Sequence, residues 1–287
     1  MDKKLVLLVA AHKVDNQTRR GGVYLPIQVG KALHPELNLG FQSDNQGDNI
    51  SERNASWCEL TALYWGWKNL HEIKYLGLNH YRRYFKNVNE DNIDHLMSGF
   101  DMIVVKQSNP MLSNHERPSN LSTVTTYEDY FLFADAFLTI HPEYKKEFID
   151  YFYNSRASYP YQMFISTKER YDDYCEFMFP VLFEVEKNMR PHGYTRQKRS
   201  IGYMGEYFLG LYISCKHLKV RPIPIEDGSI PHKTMLQNVK HQMLLAVKKT
   251  LTKMLDLLYK VPKDIEVPSA VAVGFKADGI KIKSLKS

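Results

Sequence analysis

Short, continuous runs of apolar residues alternate with longer amphipathic stretches along most of the chain. Residues 4–10 (KLVLLVA) and 101–107 (DMIVVKQ) have the pattern of strands that are buried on both faces of a parallel sheet. Further strands are predicted at 75–78, 161–165 and 218–225. Helical spacing of apolar residues predicts helices at 50–70, 127–138, 142–154, 168–189 and 203–216. This alternation of strands and helices predicts an α/β fold.

The predicted helix at 50–70 carries an aromatic stripe that indicates burial against a core. Its large apolar residues recur at steps of three and four: Trp57, Leu60, Tyr64, Trp67 and Leu70. Asn49 and Glu52 have a spacing like that of a capping box, which predicts the start of this helix.

Residues 26–33 (PIQVGKAL) predict a short helical segment with proline in its first turn. Residues 108–126 have few apolar anchors and predict a long loop, of the kind that often forms a lid.

The composition changes after Glu226, which predicts a domain at 1–226 and an appendage at 227–287. Residues 233–260 carry six lysines, one histidine and a single aspartate on a helical pattern with one apolar side. Two interpretations fit this pattern. The helix either lies in a membrane interface, or packs on the domain with its lysines outward. No run approaches the ~20 apolar residues that span a bilayer, so we expect no integral membrane segment.

Charge and cysteine content add little to this picture. The 287 residues have a formal net charge of +6, and the positive excess is concentrated in the last sixty residues or so. The three cysteines, at positions 58, 175 and 215, have neither a CxxC nor a zinc-like spacing. This predicts reduced thiols in a cytoplasmic compartment. The apolar run at 5–11 is too short for a secretory signal and is better explained as a first strand.

Polar side chains at the ends of predicted strands supply the candidate chemistry. Dinucleotide-binding, P-loop, serine-hydrolase and zinc-protease motifs are all missing from the sequence. His12 follows the first strand, a DNQGDN loop spans 44–49, and HYRRYF spans 80–85. Open α/β sheets bind ligands at the carboxyl ends of their strands, and guanidinium groups match the oxygens of a diphosphate. Asp44 and Asp48 have the chemistry to hold ribose hydroxyls or a divalent metal.

Several blocks of the sequence occur together in one known family: DNQGDNIS, CELTALYWGWKN, GLNHYRRYF, QMFI and RxxGxxGE. Over residues 4–225 the chain resembles bacterial capsular and exopolysaccharide glycosyltransferases, some of which are galactofuranosyltransferases. The resemblance implies a GT-A-type, Rossmann-like fold that binds a nucleotide-sugar, followed by a C-terminal helical appendage. One departure is Gln162, where the family has asparagine before Met-Phe-Ile. That position is expected near the acceptor, so the identity of the acceptor does not carry over.

The resemblance also assigns roles to single residues. It places the donor against Ala10, His12, Asp44, Asn49 and Asn54, with His80, Arg82 and Arg83 at the end of the strand 75–78. Arg199, seven residues before Glu206, is expected to close over the diphosphate as its loop orders. It places the acceptor near Gln162 and Met163. Metal-dependent GT-A enzymes carry Asp-x-Asp where this chain has Asn79, His80 and Tyr81. Because a cationic group there would neutralise the departing UDP, we predict no metal cofactor, with Mn²⁺ and Mg²⁺ left open. One of Arg82 and Arg83 is expected to face solvent or to pair structurally.

Inverting transfer needs a carboxylate that accepts the proton of the acceptor hydroxyl. Glu206 is the first candidate, because it follows a basic loop and lies in the first turn of a predicted helix. Asp135 is the second candidate. For each of them the alternative is a carboxylate on a helix surface.

The prediction is therefore an inverting enzyme that moves a hexose, above all galactofuranose, from a UDP-sugar to a lipid-linked saccharide in capsule or exopolysaccharide biosynthesis. We expect it at the inner face of the plasma membrane, held there through 233–260. Two alternatives are a nucleic-acid-binding protein and a non-catalytic carbohydrate-binding protein of the envelope. The first would explain the pI of 8.9 and HYRRYF. However, the charge excess lies in the tail, so we predict no nucleic-acid partner. The second would leave Glu206 dispensable.

Overall fold

A computed structural model of the chain describes residues 3–106, 116–190, 197–228 and 235–286. The described strands are β1 (Leu5–Ala11), β2 (Tyr24–Gln28), β3 (Gln42–Ser43), β4 (Tyr75–His80), β5 (Arg83–Phe85), β6 (Met102–Val105), β7 (Phe164–Thr167), β8 (Val220–Ile223) and β9 (Ile225–Asp227). They form one mixed sheet in the order β3-β2-β1-β4-β7-β6-β8, and β5 pairs with β4 and β9. β7 is antiparallel to both of its neighbours, whereas the other pairs along this order are parallel. The predicted α/β fold is confirmed.

β1 lies in the middle of the parallel half of the sheet. All seven of its residues are buried, as the continuous apolar run at 4–10 predicts. β4 runs parallel to it, with Ala10 opposite His80. The carboxyl ends of β1 and β4 therefore lie side by side at one edge of the sheet, which is where open α/β sheets bind ligands.

The helix predicted at 26–33 is wrong. Tyr24–Gln28 form β2, parallel to β1, with Pro26 opposite Val9. The proline is tolerated because β3 pairs with β2 only at Ile27 and Gln28. The missing N–H of Pro26 therefore removes no ladder hydrogen bond between the two described strands.

Helices cover both faces and the ends of the sheet. The described helices are α1 (Asn54–Trp57), α2 (Leu60–Asn69), α3 (Ile93–Met97), α4 (Glu116–Val124), α5 (Tyr127–Ile140), α6 (Lys145–Tyr153), α7 (Lys168–Asn188), α8 (Ser200–Cys215), α9 (Met235–Leu258) and α10 (Ser269–Ala277). The helices predicted at 127–138, 142–154 and 168–189 are confirmed. The loop predicted at 108–126 is wrong where Glu116–Val124 form α4. Residues 107–115 lie outside the described residues.

The helix predicted at 50–70 is broken in two. After a 3-10 turn at Ser51–Arg53, α1 ends at Trp57, and α2 begins only at Leu60 because Cys58 has φ 53° and ψ −129°. A residue other than glycine in such a conformation costs about 1–3 kcal/mol, and strain of this kind clusters at functional sites. The predicted capping box is also wrong, since no side chain caps the 3-10 turn. Asn49 Oδ1 instead accepts the N–H of Ser51 (3.2 Å).

The aromatic stripe belongs to the core, as its spacing predicts. Trp57 and Trp67 both stack on Phe179 of α7, with ring centroids 6.0 and 5.6 Å away. The end of the chain joins the same core, although its sequence carries no clear pattern. Four of its apolar side chains are buried there: Ile265, Val267, Val271 and Phe275.

α9 confirms the helix predicted at 233–260. Most of the apolar side chains that the structure describes on it are exposed rather than packed on the domain, whereas Leu245 is half-buried. Among the described residues, no helix combines the length and the apolar character that crossing a membrane would require. The division of the chain at residue 226 stays a prediction.

Candidate functional site

A cleft of about 600 Å³ opens at the carboxyl ends of β1 and β4. Its chemically active lining consists of His12, His34, Cys58, Glu59, His80, Arg83, Arg199 and Glu206, together with Tyr81, Tyr161 and Tyr203. Ala10 and Asn54 also line it. The volume lies within the range of ligand sites, roughly 300–1,000 Å³.

Two glycines bring α8 against the break between α1 and α2. A Cβ atom on Gly202 would lie 3.0 Å from Cys58 Sγ, and one on Gly205 would lie 2.9 Å from Leu60 Cδ1. Side chains at these two positions would crowd Cys58 and Leu60, so glycine allows α8 to approach this closely. The first turns of α8 therefore lie directly on the break, and Glu206 and Glu59 line the same cleft.

Glu59 and Glu206 are both held toward their protonated forms. The surrounding protein partly removes the Glu206 carboxyl group from water, which raises its pKa to about 7. The negative charge of Glu59 adds to this shift. Burial raises the pKa of Glu59 to about 6. Arg199 and Arg83 oppose both shifts. Water in the cleft still reaches the Glu206 side chain, so this carboxyl group is accessible to a ligand and has an affinity for protons near neutrality.

Two of the three histidines that line the cleft, His12 and His80, are held toward their neutral forms. Burial lowers the pKa of His80, and it also lowers the pKa of His12, where Lys13 and Arg199 add to the effect. His80 Nε2 donates to the carbonyl oxygen of Tyr161 (2.7 Å). In the neutral ring, Nδ1 is then left as an acceptor.

The two adjacent arginines of HYRRYF differ in position. Arg82 donates to Asp15 from Nε (2.9 Å) and Nη2 (2.6 Å), and it does not line the cleft. Arg83 lines the cleft, donates from Nε to Asp227 (2.9 Å), and lies 4.2 Å from the ring centroid of Tyr161. Both arginines therefore pair with a carboxylate, and of the two only Arg83 lines the cleft.

Arg199 supplies the second guanidinium group in the cleft. Its Nε donates to Cys58 Sγ (3.1 Å), and its guanidinium carbon lies 5.5 Å from the ring centroid of Tyr203. Arg83 and Arg199 thus provide permanent positive charge in a site that also holds two carboxyl groups.

Asp44 and Asn49 lie behind the cleft rather than in its lining. Asp44 is fully buried and accepts hydrogen bonds from the N–H of Gly30 (2.8 Å) and the hydroxyl of Thr61 (2.7 Å). Asn49 is engaged with its own loop, where its Nδ2 donates to the carbonyl oxygen of Gly47 (2.8 Å). Asn54 does reach the cleft. Of the three predicted polar donor contacts from 44–54, the structure places only Asn54 at the ligand surface.

The predicted acceptor residues Gln162 and Met163 are fully buried. Gln162 Oε1 accepts the hydroxyl of Tyr174 (2.6 Å) instead of facing the cleft. The neighbouring Tyr161 lines the cleft, because Tyr161 and Gln162 have φ values of 70° and 54° that turn the chain. This segment thus contributes Tyr161 to the cleft.

Asp135 lies on α5, outside the cleft. Its carboxylate accepts the backbone N–H groups of Lys283 (2.9 Å) and Ser284 (2.6 Å), together with that of Leu285 (3.2 Å). These bonds hold the end of the chain on α5. In the part of the chain that the structure describes, no three histidine, cysteine or carboxylate side chains converge as a metal site would require.

Sequence reasoning missed several lining residues, above all Glu59, Tyr161 and Tyr203. Glu59 had a signal, because it lies off the aromatic stripe on the polar flank of the predicted helix. Tyr161 and Tyr203 had none, since tyrosine at these spacings is equally typical of a core.

One solved structure with this fold is that of the WbbM bifunctional glycosyltransferase, in its apo form. The sequences are 25% identical, the match covers 79% of this chain and 46% of that one, and the TM-score is 0.69. This chain thus matches about half the length of that protein. No functionally curated protein matched the sequence significantly. A family profile described as a domain of unknown function, DUF4422, matches residues 6–217. The chain belongs to the DUF4422 family.

Proposed function

We propose that the chain is a glycosyltransferase that moves a hexose, galactofuranose in the first instance, from a UDP-sugar to a lipid-linked saccharide. The observation that carries the proposal is Glu206, an accessible carboxyl group with a pKa near 7, in a cleft that also holds Arg83 and Arg199. General bases work best when their pKa lies near the working pH. The likeness to a bifunctional glycosyltransferase supports the same reaction class.

In this proposal the chemistry is a single displacement with inversion. The acceptor hydroxyl gives its proton to Glu206, and its oxygen bonds to the anomeric carbon of the donor. The bond from that carbon to the UDP oxygen breaks on the opposite side, and the electron pair leaves with UDP. Arg83 and Arg199 stabilise the charge that develops on the diphosphate, which is the usual largest contribution of a preorganised site.

The arrangement would be of GT-A type without the usual metal motif. At the end of β4 the chain has Asn79, His80 and Tyr81. A neutral His80 offers a hydrogen-bond acceptor there, whereas the positive charge comes from the two arginines. We therefore propose donor binding that requires no divalent metal.

α9 would hold the enzyme on the inner face of the plasma membrane, close to lipid-linked acceptors of capsule or exopolysaccharide synthesis. Its exposed apolar side chains have between 48% and 86% of their surface accessible: Val239, Met243, Leu244, Val247, Leu251, Met254, Leu257 and Leu258. Most recur at steps of three and four and so form one stripe, on a helix that is ~36 Å long. Lysines elsewhere on the helix suit anionic lipid head groups.

The test combines donor binding with transfer. UDP and UDP-galactofuranose at a hundredfold excess over Kd should stabilise the fold by about 2.7 kcal/mol, which raises Tm by several degrees. The shift should persist in EDTA, and GDP- and TDP-sugars serve as controls. UDP release with short alkyl glycosides as acceptors then measures transfer. Binding that requires Mn²⁺ would reject the metal-free route, and absence of binding to every nucleotide-sugar would reject the function.

A further inference from the structure

We infer that Glu59 is a second functional carboxyl group of this cleft, one that acts through Glu206 as a positioning residue. The two side chains form a pair in which the negative charge of Glu59 strengthens the hold of Glu206 on its proton. The inference rests on the proposed function for its catalytic consequence, although the pair itself is a property of the fold.

The geometry of α8 brings the two groups together. Gly205, which precedes Glu206, packs on Leu60, which follows Glu59. Gly202 packs on Cys58, which precedes Glu59 at the break between α1 and α2. Two close contacts, one helical turn apart, thus fix the first turns of α8 on the segment that carries Glu59. Both carboxyl groups line the same cleft.

In the part of the chain that the structure describes, no salt bridge accounts for the presence of the pair. Among the described residues, neither Glu59 nor Glu206 forms a salt bridge. Glu59 receives only a hydrogen bond from its own backbone N–H, at the N-terminal end of α2. Neither carboxyl group is therefore tied into the fold as that of Asp135 is.

Two neighbouring carboxyl groups repel each other when both are ionised, so one of them binds its proton more tightly. The other groups of the cleft that face the pair are Arg83, Arg199, His80 and Cys58. His80 and the two arginines favour the ionised form of Glu206 and lower its pKa, whereas Glu59 raises it. The fold therefore keeps Glu59 near the proposed base Glu206, although the two negative charges repel each other. In the proposed reaction the charge of Glu59 adds to the effect of burial and helps to raise the proton affinity of Glu206 to the range in which it can take a proton from the acceptor hydroxyl.

The experiment follows the titration of Glu206 directly, without turnover. In protein with ¹³C-labelled glutamate carboxyl groups, the Glu206 signal is assigned by its absence from Glu206→Gln. Its midpoint is then measured by NMR in wild type and variants. Removal of the neighbouring charge in Glu59→Gln should lower the Glu206 midpoint by about one pH unit or more. Glu59→Asp restores the charge and should bring the midpoint back toward the wild-type value.

Glu52→Gln is the matched control, because Glu52 is exposed on the adjoining 3-10 turn and lies outside the cleft lining. It should leave the midpoint unchanged. The coupling is reciprocal, so Glu206→Gln should lower the Glu59 midpoint by the same amount. That second measurement tests the coupling between the two carboxyl groups even if Glu59→Gln fails to fold. Unchanged midpoints in these variants would overturn the inference.

The transfer assay links the pair to the reaction. In Glu59→Gln the acid limb of the pH profile of kcat/KM should move to lower pH together with the Glu206 midpoint. A shift of the midpoint without any transfer in wild type would reject the proposed function and leave the pair in place. Transfer with an acid limb that does not follow the midpoint would reject the positioning role of Glu59.

Discussion

Loss of the Glu206 carboxylate is the perturbation that tests the proposed chemistry most directly. Only the ionised form accepts a proton, and the pKa is about 7. The reactive fraction is therefore about nine tenths at pH 8 and about one tenth at pH 6. We expect kcat/KM to fall about tenfold for each pH unit below 7. Glu206→Gln, which keeps the size of the side chain, should lower transfer by roughly 10²–10⁴-fold.

The assay is UDP release from UDP-galactofuranose with an alkyl glycoside acceptor, measured from pH 5.5 to 9 at constant ionic strength. UDP affinity, measured by calorimetry across the same range, is the control. It should change little in Glu206→Gln, because the base acts on the acceptor in the transition state. The variant should also lose the wild-type acid limb, since the group that titrates there is gone.

Two results would refute the reasoning. An acid limb near pH 4.5 would mean that the cleft does not raise the pKa of the catalytic group. Near-normal turnover of Glu206→Gln would mean that another group takes the proton. A variant that loses activity but keeps an acid limb near pH 7 would assign that limb to a different residue.

Three further predictions concern binding, anchoring and stability. Arg83→Ala should weaken UDP binding roughly tenfold to a hundredfold in calorimetry, as loss of a charged hydrogen bond implies. Arg82→Ala should stay within about threefold, because Arg82 pairs with Asp15 outside the cleft. The double variant Val247→Ser/Leu251→Ser should sediment less with anionic liposomes at an unchanged Tm, since both side chains are exposed. Asp135→Ala should lower stability by about 1–3 kcal/mol in denaturant unfolding, because it removes the acceptor of backbone N–H groups, and should spare kcat.

Each of these has a contrary outcome. Equal effects of the two arginine variants on UDP affinity would contradict their different positions. Unchanged liposome binding by the double variant would reject α9 as the anchor, and a lower Tm would show that its stripe packs on the protein. Loss of kcat in Asp135→Ala at full stability would return this residue to the catalytic candidates.

The sequence by itself determined the elements whose burial pattern is local. The apolar run at 4–10 predicts β1, and the spacings at 127–138 and 168–189 predict α5 and α7. In these segments the side-chain period and the element coincide, because one face or both faces must be buried whatever the neighbours are. The family resemblance marked out several of the residues that line the cleft, among them His80 and Arg199.

Only the tertiary structure decided features that depend on partners distant in sequence. Residues 24–28 form a strand because β1 offers an edge for it, against the helical pattern that follows Pro26. Arg82 and Arg83 are neighbours of the same type, yet Arg82 pairs with Asp15 outside the cleft, whereas Arg83 pairs with Asp227 and lines it.

The same holds for Glu59, which a single-sequence pattern places on a helix flank. Its role follows from the break at Cys58 and from the close approach of α8, which Gly202 and Gly205 allow across more than 140 residues of chain. Periodicity reports which face of an element is buried. It does not report which elements contact each other. The chemistry of this cleft depends on the contact between α8 and the break between α1 and α2.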